Sequence, residues 1–166
     1  MHDVGDRAAA CPERRAPVSI DVATVLALQR LAADYWAIAD GKSADSAGAL
    51  FTANGRLILG PKRIEGRGAI DAFFAARADD HAAKMRHTRH FAPNPRYTPL
   101  DAHSVRVESS VIVFSGTGTL PLAADAPSAI GDFTDLCVRD PSGRWLFEER
   151  AACSIFVGGD APTFAR

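Results

Sequence analysis

The sequence predicts an α+β domain in which a curved sheet, antiparallel or mixed, wraps around a long N-terminal helix. Helical periodicity is confined to the first half of the 166-residue chain, and strand-like segments follow one another from Met85 onward. Helices grouped before strands are typical of this class. The length suits one domain, so we expect a flexible, Ala-rich arm over 1–17 and a single domain over 18–160.

Three helices are expected in the first half. Apolar residues recur at helical spacing over 22–40, and Gly41 is placed to end this long first helix. Ser43 is suited to cap a second, short helix that continues through Phe51. The segment RGAIDAFFAARADDHAA, residues 67–83, returns to the helical period and predicts the third helix.

Strands are predicted on both sides of a Gly60-Pro61 turn and throughout the second half. The segments RLIL and KRIEG flank that turn as two short strands. Runs rich in β-branched and aromatic residues, divided by segments such as PLDAHS and DPSG, predict four more strands. These lie at about 86–98, 103–118, 129–139 and 144–157.

The composition excludes several classes of function. A formal net charge of -1 gives no electrostatic case for binding nucleic acid or an anionic membrane. No apolar run reaches the roughly 18 residues of a membrane span, and the N-terminal segment has no apolar core of a signal peptide. Three cysteines, an odd number, favour free thiols and a cytoplasmic location. The sequence has no glycine-rich phosphate loop, nucleophile elbow or cluster of metal ligands, so neither a cofactor nor a metal is expected.

The segment HTRHFAPNP, residues 87–95, contains the first candidate for chemistry. Pro93 and Pro95 exclude a helix, and on an extended chain His87 and His90 point to opposite faces of the sheet. The two histidines therefore form a poor metal pair, and only one of them can face an interior cavity. A lone histidine on a sheet is more often a hydrogen-bonded core or rim residue, but beside a carboxylate it can move protons near neutral pH.

Asp40 is the second candidate. It lies one turn after Trp36, at the C-terminal end of the first helix, where the helix dipole disfavours a carboxylate. A residue that departs from local preference in this way is a candidate for function. The alternative is a solvated turn residue that helps to cap the next helix.

Arg150 is the third candidate. Pairing the last two strands about the DPSG turn places Arg150 opposite Thr134 and diagonal to Asp132. An exposed cross-strand ion pair is therefore the alternative to a functional role. The same register places Cys137 and Cys153 far apart along the strand pair, so they cannot form a disulfide.

Four segments occur in a characteristic order: YWAIADGKSADSAGALFTANGRL, IEGRGAIDAFFAA, MRHTRHFAPNPRY and GRWLFEERAACSIF. They contain a helix that ends in Asp, an LFT turn, a GR.AI..FF helix and an RH...N strand. In this order they resemble the polyketide cyclase SnoaL-like branch of the nuclear transport factor 2-like superfamily over about residues 19–157. The resemblance implies a cone-shaped α+β barrel whose open end holds a deep apolar pocket, usually in a homodimer.

Within that superfamily the sequence is most similar to scytalone dehydratase and hexachlorocyclohexane dehydrochlorinase. Asp40 and His90 match the Asp and His positions that both enzymes use. Arg150 matches the pocket arginine of the dehydrochlorinase, in a strand with the pattern R..C..F formed by Arg150, Cys153 and Phe156.

Two positions depart from scytalone dehydratase. Ala39 replaces the tyrosine that precedes the Asp, and Ser109 or Ser110 stands where a second strand histidine is expected. The substrate of scytalone dehydratase is therefore not implied. Small subunits of ring-hydroxylating dioxygenases share this fold without performing the chemistry, so the fold alone does not decide activity.

Two functional hypotheses follow. The first is a cofactor-independent lyase or isomerase, similar to a dehydratase, that acts on a small apolar or cyclic organic substrate. His90 takes a proton from carbon, Asp40 orients His90, and Arg150 or a nearby serine stabilises the leaving group or oxyanion. The second is a non-catalytic ligand-binding dimer, or the small subunit of a ring-hydroxylating oxygenase, in which Asp40 and His90 make only a structural hydrogen bond. The side chains expected to bind the substrate are Tyr35, Trp36, Phe51, Phe73, Phe91 and Ser109.

The last strand also predicts a homodimer. Its apolar residues lie on both faces, and the first helix covers only one of them. The outer face of the sheet is therefore expected to pack against a second copy of the chain. The residues concerned are Phe147, Ile155 and Val157 on one face and Leu146 and Phe156 on the other.

Overall fold

The computed structural model describes residues 19–123 and 126–158. Within them the chain forms an α+β arrangement, which confirms the predicted fold class. The predicted arm at 1–17 and the outer limits of the predicted domain lie outside the described residues. In chain order the elements are α1 (Val22–Ala39), a short 3-10 helix (Gly48–Leu50), β1 (Phe51–Leu59), β2 (Lys62–Glu65), α2 (Arg67–Ala83), β3 (Arg86–Phe91), β4 (Arg96–Pro99), β5 (Ser104–Thr117), β6 (Ala129–Arg139) and β7 (Trp145–Val157).

The strands form one curved, mixed sheet in the order β2-β1-β7-β6-β5-β3, and β4 pairs with another part of β5. The strands β1 and β7 are parallel, and the other pairs are antiparallel. Register irregularities between β6 and β7 bend the sheet. In the described part of the chain, the edge strands β2 and β3 do not pair, so the cone is not closed into a full barrel.

The core lies between α1 and the hollow face of the sheet. From α1 the buried residues include Leu28, Leu31 and Tyr35, which belong to one cluster with Phe51 and Phe147 of the sheet. Each large apolar side chain that is fully buried contributes about 1.5–3 kcal/mol. None of the described helices is long and apolar enough to cross a membrane.

The limits of α1 agree with the sequence signals. Asp21 caps its start, because Asp21 Oδ1 accepts from the backbone N–H of Thr24 at 2.7 Å. Gly41 follows its end with a φ of 66°, a left-handed conformation that glycine adopts without strain. The backbone N–H of Lys42 then donates to the Ala37 carbonyl at 2.8 Å. This cap fixes the direction in which the chain leaves α1 next to Asp40.

The predicted second helix is shorter than expected. Only Gly48–Leu50 form a 3-10 turn, and β1 begins directly after it. Ser43 does not cap a helix, because its Oγ donates to Asp45 Oδ2 at 2.6 Å. Instead, Asp71 of α2 accepts from the first backbone N–H of the turn at 2.8 Å. The turn is therefore held both by a contact with a distant element and by a local bond, in which the backbone N–H of Ala49 donates to Ser46 Oγ at 3.0 Å.

The predicted strand at 86–98 is divided into β3 and β4. The segment APNP separates them, because its prolines have no backbone donor and Asn94 has a φ of 54°. Both parts still pair with β5. The helix at 67–83 is observed as predicted, whereas β1 begins well before the predicted RLIL.

Candidate active site

A partly buried Asp–His pair lies where the end of α1 meets β3. His90 Nδ1 is 2.6 Å from Asp40 Oδ1, and the two side chains are 12% and 4% exposed. Asp40 also accepts from the backbone N–H of His90 at 3.1 Å and from Thr88 Oγ1 at 3.0 Å. His87 points away and donates from Nε2 to the Gly118 carbonyl at 3.1 Å. The alternative of a solvated Asp40 in a turn is therefore wrong.

Asp40 is ionised at neutral pH. Burial raises the pKa of its carboxyl, but hydrogen bonds from His90 and Thr88, together with the charge of His90, lower that pKa below its ordinary value of 3.8. These donors also offset the unfavourable helix dipole. Because the carboxylate accepts from Nδ1–H, a neutral His90 carries its free lone pair on Nε2.

The ring of His90 borders a small apolar cavity. It stacks on Trp36 with 4.6 Å between ring centroids and 15° between planes, which holds its orientation. The cavity has a volume of about 70 Å³. Other residues that line it include Leu59, Val111, Val113, Phe133 and Ala152. A basic imidazole in apolar surroundings is an arrangement that can remove a proton from carbon.

Arg150 is buried in an ion pair that the sequence analysis placed wrongly. It lies opposite Asp135 rather than Thr134, because a register irregularity between Leu136 and Cys137 shifts the pairing. Arg150 Nη1 is 3.0 Å from Asp135 Oδ2, and the side chains are 1% and 4% exposed. The expectation of an exposed ion pair with Asp132 is therefore wrong.

The guanidinium of Arg150 is surrounded by aromatic rings. It lies 4.1 Å from the ring centroid of Tyr35 and between 4.7 and 4.9 Å from those of Trp36, Phe133 and Phe147. Such rings stabilise a cation with their π faces. The same region borders a second cavity of about 280 Å³ between α1 and the sheet.

Asp135 is a site residue that the sequence analysis missed. Burial raises the pKa of its carboxyl to about 6, and the charge of Arg150 opposes that shift. On β6 it follows the alternation of inward residues that includes Phe133 and Cys137. A charged residue at an inward position of a strand was the signal that could have found it.

The residues predicted to bind substrate divide into three groups. Trp36 and Ser109 line the cavity of about 280 Å³. Tyr35 and Phe51 are core residues, 3% and 0% exposed. The link between Tyr35 and the site is the packing of its ring on the Arg150 guanidinium. Two further residues lie away from both cavities: Phe73, which packs on Phe74, and Phe91, which is 54% exposed and contacts Phe114. Phe91 borders a shallow outer groove that His90 also lines, so its role in binding substrate stays a prediction.

A wider cleft of about 740 Å³ lies on the other side of Asp40, between α2 and the first residues of β3. Its lining includes Arg77, His81 and Arg86. Burial, with the charges of both arginines, lowers the pKa of His81 to about 4, so His81 is neutral at pH 7. Arg77 Nη2 donates to the Ala39 carbonyl at 3.2 Å. This contact supports the end of α1 from which Asp40 projects.

The described cysteines are unpaired, with Cys137 buried and Cys153 exposed. Burial raises the pKa of Cys137 far above its ordinary value, so its thiol is unreactive. Cys11 lies outside the described residues. Among those residues, no group of three or more His, Cys, Asp or Glu side chains is arranged to hold a metal ion.

The fold is shared with solved structures whose sequences are distant. ActVI-ORFA from Streptomyces coelicolor has a TM-score of 0.71 at 18% identity, over 82% of this chain and 98% of that chain. A Novosphingobium aromaticivorans protein, provisionally named scytalone dehydratase, has a TM-score of 0.67 at 18% identity, over 85% and 96%. Another protein of that organism, provisionally named an aromatic ring hydroxylase, has a TM-score of 0.70 at 19% identity, over 89% and 100%. No curated protein sequence matches the chain at a significant level.

An open, curved sheet around a long helix gives the chain a nuclear transport factor 2-like fold. A family model described as a SnoaL-like domain matches residues 21–151. The chain therefore belongs to the SnoaL-like domain family, as the resemblance predicted.

Proposed function

We propose that the protein is a cofactor-independent lyase or isomerase for a small apolar or cyclic organic substrate. The observation that carries the proposal is the 2.6 Å hydrogen bond between the partly buried side chains of Asp40 and His90 beside an apolar cavity. In this proposal, Nε2 of His90 removes a proton from a substrate carbon. Asp40 holds the tautomer and stabilises the imidazolium that forms.

The developing negative charge on the substrate needs a partner on the other side of the site. Ser109 and Arg150 line the cavity of about 280 Å³, and Trp36 contacts both His90 and Arg150. The hydroxyl of Ser109 would donate a hydrogen bond to an oxyanion or a leaving group there, and Arg150, whose charge is paired with Asp135, would contribute to the site as a neutral ion pair. Membership of the SnoaL-like family and the fold shared with the neighbour provisionally named scytalone dehydratase support a catalytic role in general, and the roles of the individual residues are our proposal.

The second candidate is a non-catalytic role, as a ligand-binding dimer or the small subunit of a ring-hydroxylating oxygenase. The neighbour provisionally named an aromatic ring hydroxylase supports it. In that case, the bond between Asp40 and His90 would only hold β3 against α1. The two candidates differ in whether a carbon-bound proton is exchanged.

We expect the wild-type protein to accelerate deuterium exchange next to the carbonyl of a cyclic ketone, and His90→Gln to lose this acceleration. The probes are cyclohexanone and 2-tetralone in D₂O, followed by proton NMR. General base catalysis contributes about 10²- to 10⁴-fold, which sets the size of the loss. His103→Gln, which changes an exposed histidine in a turn, is the control. Equal exchange with wild type and His90→Gln for both probes would favour the non-catalytic role.

We also propose that the outer face of the sheet forms a homodimer interface. The register places Phe91, Ile112, Ile130 and Phe156 side by side across β3, β5, β6 and β7. Phe91 and Phe156 are 54% and 65% exposed. An apolar row of this kind on a sheet face is suited to a second copy packed against the same row. Leu146 and Phe147, by contrast, are already buried within the chain.

Phe156→Asp is therefore expected to convert a dimer into a monomer, because it places a charge in the centre of the apolar row. Sedimentation velocity at micromolar concentration measures this change. Val22→Asp, which changes an exposed apolar residue at the start of α1, should leave the dimer intact. A monomeric wild-type protein would reject the interface.

We place the protein in the cytoplasm, where the exposed thiol of Cys153 remains reduced.

A further inference from the structure

Buried polar atoms without hydrogen-bond partners gather at one place in the described chain. They are Trp36 Nε1, Asp135 Oδ1 and Arg150 Nε. All three residues line the cavity of about 280 Å³. Leaving such an atom unpaired costs about 1–3 kcal/mol, so three unpaired groups on residues that line one cavity point to a ligand or a solvent molecule that small side-chain movements would let reach them.

In this wall, Asp135 and Arg150 form an ion pair that has no net charge but has one negative and one positive end. Arg150 uses Nη1 to bind Asp135 Oδ2 at 3.0 Å, so its positive charge is already compensated. The other carboxylate oxygen can only accept a hydrogen bond, and Nε of Arg150 can only donate one. A second negative charge in this buried site would oppose Asp135 in surroundings that screen charge poorly. The wall therefore suits a neutral group that donates to Asp135.

We propose that Asp135 and Arg150 form a specificity subsite that selects neutral ligands with a hydrogen-bond donor, above all a ring hydroxyl, and rejects carboxylates. The proposal rests on the proposed function, and it adds which polar group the substrate carries away from His90. The ring itself would contact the apolar lining. That lining includes Leu28, Tyr97, Val107 and Phe147.

The assignment differs from an anion site at Arg150. A free guanidinium in an aromatic surround would attract a chloride or a carboxylate, as a pocket arginine can. Here Asp135 removes that attraction, because the pair has no net charge. Removing the charge of Asp135 alone should therefore invert the preference of the cavity from a neutral donor to an anion.

The test compares phenol, toluene and benzoate, which share a ring and differ in the polar group. Their binding is followed by NMR through the indole N–H resonance of Trp36, assigned with Trp145→Phe. Wild-type protein should bind phenol about 10- to 100-fold more tightly than toluene, the range expected for one hydrogen bond to a charged group. Benzoate should bind more weakly than phenol.

Asp135→Asn is the decisive variant, because it keeps the shape and an oxygen for Arg150 Nη1 but presents an N–H₂ group to the cavity. It should lose about tenfold in phenol affinity and gain in benzoate affinity. Asp132→Asn, an exposed position on the same strand, should keep the wild-type order. If wild-type protein binds phenol and toluene equally, or if folded Asp135→Asn keeps the wild-type order, the subsite is rejected.

The order of the affinities of wild-type protein for phenol, toluene and benzoate tests the subsite even if Asp135→Asn does not fold. His90→Gln separates this proposal from the proposed function, because it should retain the preference for phenol while losing deuterium exchange. Wild-type protein that exchanges deuterium but shows no preference for phenol over toluene rejects the subsite alone. A phenol preference without any exchange rejects the catalytic role alone.

Discussion

Asp40→Asn is expected to lower proton exchange or turnover about 10²- to 10⁴-fold while the fold is retained. One oxygen of Asp40 accepts from the backbone N–H of His90, and the other is 2.6 Å from Nδ1. An Asn that keeps the first contact presents its N–H₂ to Nδ1, which moves the imidazole proton to Nε2 and removes the base. In the opposite orientation, the imidazolium loses its counter-charge.

The measurement is the deuterium exchange assay, with Asp34→Asn as the control because Asp34 lies on α1 with a 55% exposed side chain. The pKa of Asp40 is lowered in the folded state, so the stability it contributes is present above the unfolded value near 3.8. That contribution is lost as the pH falls through the folded value. The stability deficit of Asp40→Asn should therefore shrink in acid. Exchange at the wild-type rate in Asp40→Asn would show that the Asp–His bond is structural.

Arg150→Met is expected to lower the free energy of unfolding by about 3–5 kcal/mol, because it leaves Asp135 buried without a partner charge. The two side chains are 1% and 4% exposed, so solvent cannot replace the lost ion pair. Urea denaturation measures the change. The double variant Asp135→Leu with Arg150→Met should recover most of the loss, because two apolar side chains can replace a buried pair.

The matched control is Arg56→Met. Arg56 is 2.8 Å from Glu149 in an ion pair whose side chains are 46% and 32% exposed. Exposed pairs contribute about 0–1 kcal/mol, so this variant should be close to wild type. Similar losses for Arg56→Met and Arg150→Met would contradict the importance of burial.

The pH dependence of Arg150→Met has a defined sign. Asp135 has a folded pKa of about 6, above its ordinary 3.8, so its burial costs stability as the pH rises between those values. Without Arg150 the folded pKa rises further, and the cost at neutral pH grows. The loss of unfolding free energy caused by Arg150→Met should therefore be largest near pH 8 and should shrink toward pH 4. A deficit that is constant with pH would show that lost packing, not charge, is responsible.

The fold was predictable because its signals are local. The period of apolar residues in α1 and α2 and the glycine after α1 needed no knowledge of distant contacts, and both helices lie where they were expected. The 3-10 turn was not predictable in this way. Asp71, which holds it, lies more than twenty residues further along the chain.

The sequence by itself determined the class of fold, the family and the candidates Asp40 and His90, because periodicity, caps and motif order are properties of neighbouring residues. Only the tertiary structure decided that Arg150 is paired with Asp135 and that Phe91 faces outward beside the apolar row. For Arg150 the reason is the register irregularity between Leu136 and Cys137, which moves its partner on β6 from Thr134 to Asp135. A register of this kind is fixed by packing across the whole sheet, which no short segment of the chain records.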